Sequence, residues 1–113
     1  MTDSPLDWSE FERVEMRVGT VLSAEPFAAA RRPAYRLLID FGPPGELKSS
    51  AQITDRYAPE ELVGRQVIAV VNFPPKQIAT LMSQCLVLGA VDEGAGVTLL
   101  APDFAVANGT RIG

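Results

Sequence analysis

The sequence predicts an all-β fold built as one small barrel. Three observations predict it: several short runs in which apolar and polar residues alternate, glycine- and proline-rich turns between them, and very little helical periodicity. With 113 residues the chain is one domain, residues 1–113. These features favour a five-stranded Greek-key OB-fold barrel with a short N-terminal helix and one or two helical turns. Periodicity alone does not separate it from an SH3-like barrel or a small sandwich.

The first element is a short helix within an N-terminal extension, residues 1–13. Asp7 is placed to cap this helix, and Glu10, three residues later, to complete a capping box. Trp8 and Phe11 fall on one side of the helix. Together with Phe104 near the C-terminus, they exceed the apolar surface that a small barrel needs to cap its ends. These three residues are therefore predicted to form a homodimer interface, with a plug in the barrel end as the alternative.

Strands follow the helix along the rest of the chain. Alternation predicts strands at 14–18, 35–41 and 47–53, and apolar runs predict strands at 65–73, 84–91 and 96–100, with a last short one within 106–112. Gly19 suggests a bulge or bend, and Gly42-Pro43-Pro44-Gly45 is a turn. The segment 59–62 is one helical turn that ends at Gly64. In 47–53, Lys48, Ser50 and Gln52 face outward.

The segment 72–83, NFPPKQIATLMS, lies between two buried-looking strands. Pro74 and Pro75 cannot donate backbone hydrogen bonds, so the strand must stop there. The apolar residues at 78, 81 and 82 have helical spacing, which predicts one or two helical turns as a lid on the barrel end. The polar residues at 72, 76 and 83 bracket this lid, where they can present donors to an anion or a peptide backbone.

Charge and composition restrict the function. The net charge is −4, but residues 1–15 hold five acids and one base, whereas residues 16–113 hold nine of each. The body can therefore carry a local basic patch, and Arg31-Arg32-Pro33 in the first inter-strand loop is one candidate. Aromatic partners for bases are scarce, because most aromatics look like core or junction residues: Phe11, Phe41, Phe73 and Phe104.

Catalysis is poorly supported. The sequence has no histidine, no glycine-rich phosphate loop and no carboxylate cluster with metal-loop spacing, so neither an enzyme activity nor a cofactor or metal is predicted. Cys85 lies in an apolar run and is predicted to be core packing. No apolar run approaches the ~20 residues of a membrane span. Without a secretory signal at the start, the expected location is cytoplasmic.

Several long segments resemble CsaA-type export chaperones, which belong to the wider tRNA-binding-domain family. They are FERVEMRVGTVLSAEPF (11–27), LKSSAQIT (47–54), VIAVVNFPPKQIA (67–79), SQCLVLGAV (83–91) and NGTRIG (108–113). The resemblance covers essentially the whole chain. It implies an OB-fold homodimer that binds unfolded preproteins for export and binds tRNA or other structured RNA. The alternative is an RNA-binding module with no chaperone role.

The resemblance also implies where ligands bind. RNA contacts in the wider family cluster where this chain has Lys48, Ser49, Ser50, Asn72, Lys76 and Ser83. One departure concerns Thr80-Leu81-Met82, where the wider family usually has a glycine and more basic character. Since methionine-rich surfaces adapt to varied side chains, Leu81 and Met82 are predicted to bind an apolar peptide.

Overall fold

A computed structural model describes residues 4–113, and its architecture confirms the predicted fold class: a nearly closed five-stranded antiparallel barrel with short helices. The elements in chain order are α1 (Trp8–Arg13), β1 (Met16–Pro26), β2 (Tyr35–Asp40), β3 (Glu46–Ala51), α2 (Pro59–Leu62), β4 (Gln66–Val70), β5 (Lys76–Ile78), β6 (Leu81–Ser83), β7 (Leu86–Val87), β8 (Gly89–Asp92), β9 (Gly96–Leu99) and β10 (Arg111–Ile112). No helix among the described residues is long and apolar enough to cross a membrane.

The barrel is one sheet in the order β3-β2-β1-β4-β7, with β10 added to the start of β1. The long β1 strand also has β2 on one side and β4 on the other, so that Thr20 lies opposite both Asp40 of β2 and Gln66 of β4. The sheet closes between β3 and the segment before β7. There the Gln84 backbone N–H donates to the Lys48 carbonyl at 2.8 Å, and the Lys48 N–H donates to Gln84 Oε1 at 3.0 Å.

Tight packing inside the barrel explains Gly19. A Cβ at this position would lie 2.6 Å from Ile39 Cγ2 and 2.7 Å from the ring of Phe41, and both residues are fully buried. Gly19 therefore permits close packing and does not form the predicted bulge. Its pairing with β4 is regular, whereas the register shift lies between Val21 and Ser23 in the pairing with β2.

The helical lid predicted within 72–83 is wrong, because β5 and β6 form an antiparallel hairpin. Ile78 and Leu81 lie opposite each other across a two-residue turn. A three-residue spacing therefore brings two apolar side chains together in a hairpin as well as in a helix, and a short window cannot distinguish them. Ala79 in the turn has a φ of 49°, in the left-handed region. The strand does end before Pro74-Pro75, as predicted.

The hairpin is attached to the barrel by a small second core. Leu81 packs with Phe27 and Ala34 in a buried cluster that is separate from the main one, and Ala30 and Ile78 pack against its edge. Phe27 and Ala34 begin and end the β1–β2 loop, where the Phe27 N–H donates to the Ala34 carbonyl at 2.9 Å. This cluster, which we call the second core, therefore fixes the hairpin against the β1–β2 loop.

Candidate nucleic-acid interface

A large cavity lies between the β1–β2 loop and the β5–β6 hairpin, with the outward face of β3 as its floor. We call it the cationic cleft, and its volume is about 780 Å³. Its lining residues are Ala30, Arg31, Arg32, Ala34, Ser50, Gln52, Lys76, Gln77, Ile78 and Ala79. The lining thus includes three cationic side chains and no acidic one. In OB folds, the β2–β3 face and the loops beside it are where oligonucleotides bind.

A second cavity of about 350 Å³ adjoins the cleft. We call it the Phe73 pocket, and its lining residues are Ser50, Gln52, Phe73, Pro74, Lys76, Ile78, Ser83, Gln84, Cys85 and Leu86. Ser50, Gln52, Lys76 and Ile78 line both cavities. The two cavities therefore form one continuous surface. The prediction that Phe73 is a core or junction residue is wrong, because its side chain is 54% exposed.

Asn72, a predicted RNA contact, has a structural role. Its side-chain Nδ2 donates to the Arg13 carbonyl at 2.6 Å, and its Oδ1 accepts from the Glu15 backbone N–H at 3.0 Å. Both ends of the amide therefore tie the end of β4 to the segment between α1 and β1. The partners lie more than fifty residues away in the chain, so local sequence cannot reveal them.

The three predicted serines, Ser49, Ser50 and Ser83, lie at the barrel seam and differ in exposure. Ser49 is 1% exposed and its hydroxyl donates to the Cys85 carbonyl at 3.0 Å, so its side chain cannot reach RNA in this fold. The alternation that places Ser49 inward with its apolar neighbours already indicated this. Ser83 is half-buried, and its Oγ accepts from the Ser50 N–H at 3.2 Å. Ser50 and Ser83 both line the Phe73 pocket, so they stay candidates for ligand contact.

Lys48 and Lys76, the two predicted lysines, are both exposed but lie in different places. Lys76 lines the cleft and the Phe73 pocket. Lys48 faces outward from β3 as predicted, but it borders a separate cavity of about 260 Å³ together with Arg36. Arg36 is already paired with Glu25, and its guanidinium lies 5.6 Å from the centre of the Phe27 ring.

The two predicted peptide-binding residues also differ in exposure. Leu81 is only 9% exposed because it belongs to the second core, so it is a packing residue and the prediction that it binds peptide is corrected. Met82, the next residue in β6, is 45% exposed. Successive side chains of a strand point to opposite faces, which explains the difference.

Cys85 is buried, as predicted, and burial raises the pKa of its thiol from 9.0 to about 11. Because only the thiolate is nucleophilic, this pKa lowers the reactive fraction about 100-fold at around pH 8. We therefore expect iodoacetamide to alkylate Cys85 at least about 100-fold more slowly in the native protein than in the denatured protein. Mass spectrometry of samples taken over time measures the two rates. Equal rates in the two states would show that the thiol is accessible and ionised.

The chain is similar to known proteins in both sequence and structure. The family model described as "Putative tRNA binding domain" matches residues 16–111. The methionine–tRNA ligase of Methanosarcina mazei is 35% identical over 107 residues, which cover 95% of this chain and 15% of the ligase. The chain thus spans only about 15% of the length of such curated relatives. It belongs to the tRNA-binding domain family.

Two solved structures of CsaA chaperones are similar to this chain in both sequence and fold. The chaperone CsaA of Bacillus anthracis is 51% identical, with a TM-score of 0.92 over 97% of this chain and 100% of that one. The CsaA chaperone protein of Picrophilus torridus is 45% identical, with a TM-score of 0.90 over 96% of this chain and 100% of that one. These matches confirm the CsaA-type resemblance, and the chain is a CsaA-like protein with a tRNA-binding-type domain.

Proposed function

We propose that the protein binds tRNA or other structured RNA through the cationic cleft and carries out no chemistry on it. The observation that carries this proposal is the segregation of charge. A chain with a net charge of −4 has a concave surface with three cationic side chains and no acidic one. A concave surface of one sign concentrates the electrostatic potential and attracts a ligand of opposite charge.

The three cationic side chains of the cleft can also contact a ligand without first breaking an ion pair. Within residues 4–113 the two ion pairs are Arg17–Glu15 and Arg36–Glu25, so Arg31, Arg32 and Lys76 have no acidic partner. Phosphate contacts in nucleic-acid complexes come mainly from such lysine and arginine side chains. Arg31 and Arg32 in the β1–β2 loop and Lys76 at the open end of the hairpin line the same groove, so a phosphate backbone lying in it can contact all three.

A salt titration with tRNA tests the proposal. Three neutralised phosphates predict that the logarithm of the association constant falls with the logarithm of the salt concentration with a slope of about −2 to −3. Polyglutamate serves as the control polyanion, because an affinity equal to that for tRNA would show that the cleft responds to negative charge alone. Affinity that does not depend on salt, or no tRNA binding at low salt, would reject RNA binding at the cleft.

Binding of unfolded polypeptides is the second candidate function, in keeping with the CsaA likeness. It is supported by two exposed apolar side chains that line the Phe73 pocket, Phe73 and Leu86, and by the exposed Met82 in the neighbouring strand β6. Scattered exposed apolar residues are common, but a contiguous group beside a groove is typical of interaction sites. Titration with a labelled unfolded preprotein tests this function, and no saturable binding up to tens of micromolar would reject it. Competition by tRNA would show that the two ligands share one surface.

Self-association is a further part of the proposal. Trp8 is 81% and Phe104 80% exposed, so neither plugs the barrel end, while Phe11 is half-buried. We expect a homodimer, and we expect Trp8→Ser to weaken it at least about 30-fold, since a buried interfacial tryptophan is often worth ~2 kcal/mol or more. Sedimentation equilibrium measures this, with Val63→Ser as the control at another exposed apolar position. A wild-type monomer at micromolar concentration would contradict the interface.

A further inference from the structure

Phe73 combines a large exposed aromatic ring with a backbone that is restrained on both sides. Before it, Asn72 is tied through both ends of its amide, and the Val71 N–H donates to the Glu15 carbonyl at 2.9 Å. After it, Pro74-Pro75 fixes two successive φ angles. The backbone that carries the ring is therefore held in place before any ligand arrives, which lowers the entropic cost of binding against it.

The rim of the Phe73 pocket is polar. It includes the hydroxyls of Ser50 and Ser83 and the amide side chains of Gln52 and Gln84. Within the described part of the chain, Gln52 has no side-chain hydrogen bond, whereas Gln84 uses its Oε1 for the Lys48 N–H. An aromatic ring with amide and hydroxyl groups beside it matches a flat base with donors and acceptors on its edge. The volume, about 350 Å³, lies in the usual range for small-ligand sites.

The pocket adjoins the cationic cleft, so the cleft can bind the phosphates next to a nucleotide whose base lies in the pocket. Because Lys76 lines both cavities, a chain of nucleotides can place a base at Phe73 and its neighbouring phosphates along Lys76 and Arg31. A base inside a duplex cannot reach the ring, since its faces are covered by stacking in the helix. Stacking on protein aromatics is therefore a mark of unpaired nucleotides.

We propose that the Phe73 pocket is a subsite for one unpaired nucleotide, whose base stacks on Phe73, and that it directs the protein to unpaired segments of its RNA. The inference rests on the proposed RNA binding but is separate from it: the cationic cleft alone would bind any phosphate backbone. Asn72 acts in this subsite as a positioning residue, because its bonds hold the backbone that carries the ring.

The test compares two RNAs of equal phosphate number: an unstructured oligoribonucleotide and a blunt duplex of two annealed strands, which has no loop and therefore no unpaired nucleotide. We expect the wild type to prefer the unstructured strand. Phe73→Leu keeps an apolar side chain of similar size but removes the aromatic face. It should weaken binding of the unstructured strand about tenfold, as expected for one lost stack, and leave duplex binding unchanged. Phe73→Trp should retain binding, and Val91→Ala, at an exposed apolar site outside both cavities, should change neither affinity.

A fluorescent base analogue in the unstructured strand reports stacking directly, and we expect its quenching to disappear in Phe73→Leu. A matching oligodeoxynucleotide with the same affinity would still support the subsite and show that it reads base and phosphate without the 2′-hydroxyl. Equal losses for both RNAs, or no loss for either, would overturn the subsite while RNA binding stands. A loss of unfolded-polypeptide binding alone would assign the pocket to polypeptides and overturn it too. If neither RNA binds the wild type, the proposed function itself fails.

Discussion

Replacing the three cations of the cleft in an Arg31→Ala/Arg32→Ala/Lys76→Ala variant is expected to lower tRNA affinity about 100-fold or more at about 0.1 M salt. Each phosphate that loses its cation removes ~0.7–0.9 from the salt slope, so three remove about 2–3. Between about 0.1 M and 1 M salt, where the electrostatic contribution has nearly vanished, that difference amounts to a factor of at least about 100. All three side chains are exposed, so the fold should be unaffected.

The matched control changes the net charge by the same amount at positions outside the cleft. Arg13, Arg56 and Arg65 are exposed and line none of the cavities described above. The variant Arg13→Ala/Arg56→Ala/Arg65→Ala should therefore keep most of the affinity and most of the salt slope. Equal losses in the two variants would show that tRNA responds to net charge only, and the cleft would no longer be the binding site.

Two features of the fold were predictable because their residues obey one strong local rule. In β2 and β3 every second side chain is buried, from Tyr35 to Phe41 and from Ser49 to Ile53. A one-residue shift would turn all of these side chains to the solvent, so the pattern sets the register. The turn at Gly42-Pro43-Pro44-Gly45 likewise depends only on backbone preferences of adjacent residues.

The candidate site was predictable only in part, since it depends on long-range partners. The family resemblance predicted Asn72 and Ser49 as RNA contacts, but their polar atoms bind backbone groups far away in sequence. Phe73 was missed for the opposite reason. It follows a buried strand, and the apolar run predicts that the strand continues through it, yet the next residues are prolines, which end the pairing. An aromatic residue just before Pro-Pro is thus a signal for an unpaired, exposed ring.

The second core holds the β5–β6 hairpin against the β1–β2 loop, so a substitution in this core tests whether RNA binding needs the hairpin in that position. We expect Leu81→Asn to detach the β5–β6 hairpin from the β1–β2 loop, because the amide would lie buried among Phe27 and Ala34 without a partner at a cost of ~1–3 kcal/mol, in addition to ~2 kcal/mol of lost apolar burial. A hairpin of three residues per strand is at best marginally stable by itself. Amide hydrogen exchange in residues 76–83 should therefore accelerate, while the main barrel cluster keeps its protection.

We expect tRNA binding to weaken when the hairpin detaches, because the hairpin would no longer hold Lys76 in the same cleft as Arg31 and Arg32. We expect tRNA affinity to fall about tenfold, since one phosphate contact and the preorganisation of the groove are lost together. Asparagine is neutral, so the effect cannot arise from charge. Met82→Asn, at the neighbouring exposed position, should change stability by less than about 0.5 kcal/mol and leave tRNA affinity unchanged.

If Leu81→Asn accelerates exchange throughout the barrel, the hairpin and barrel unfold as one unit. If exchange accelerates only in the hairpin and tRNA binding persists, then the β1–β2 loop and β3 suffice to bind RNA, and the hairpin serves another ligand.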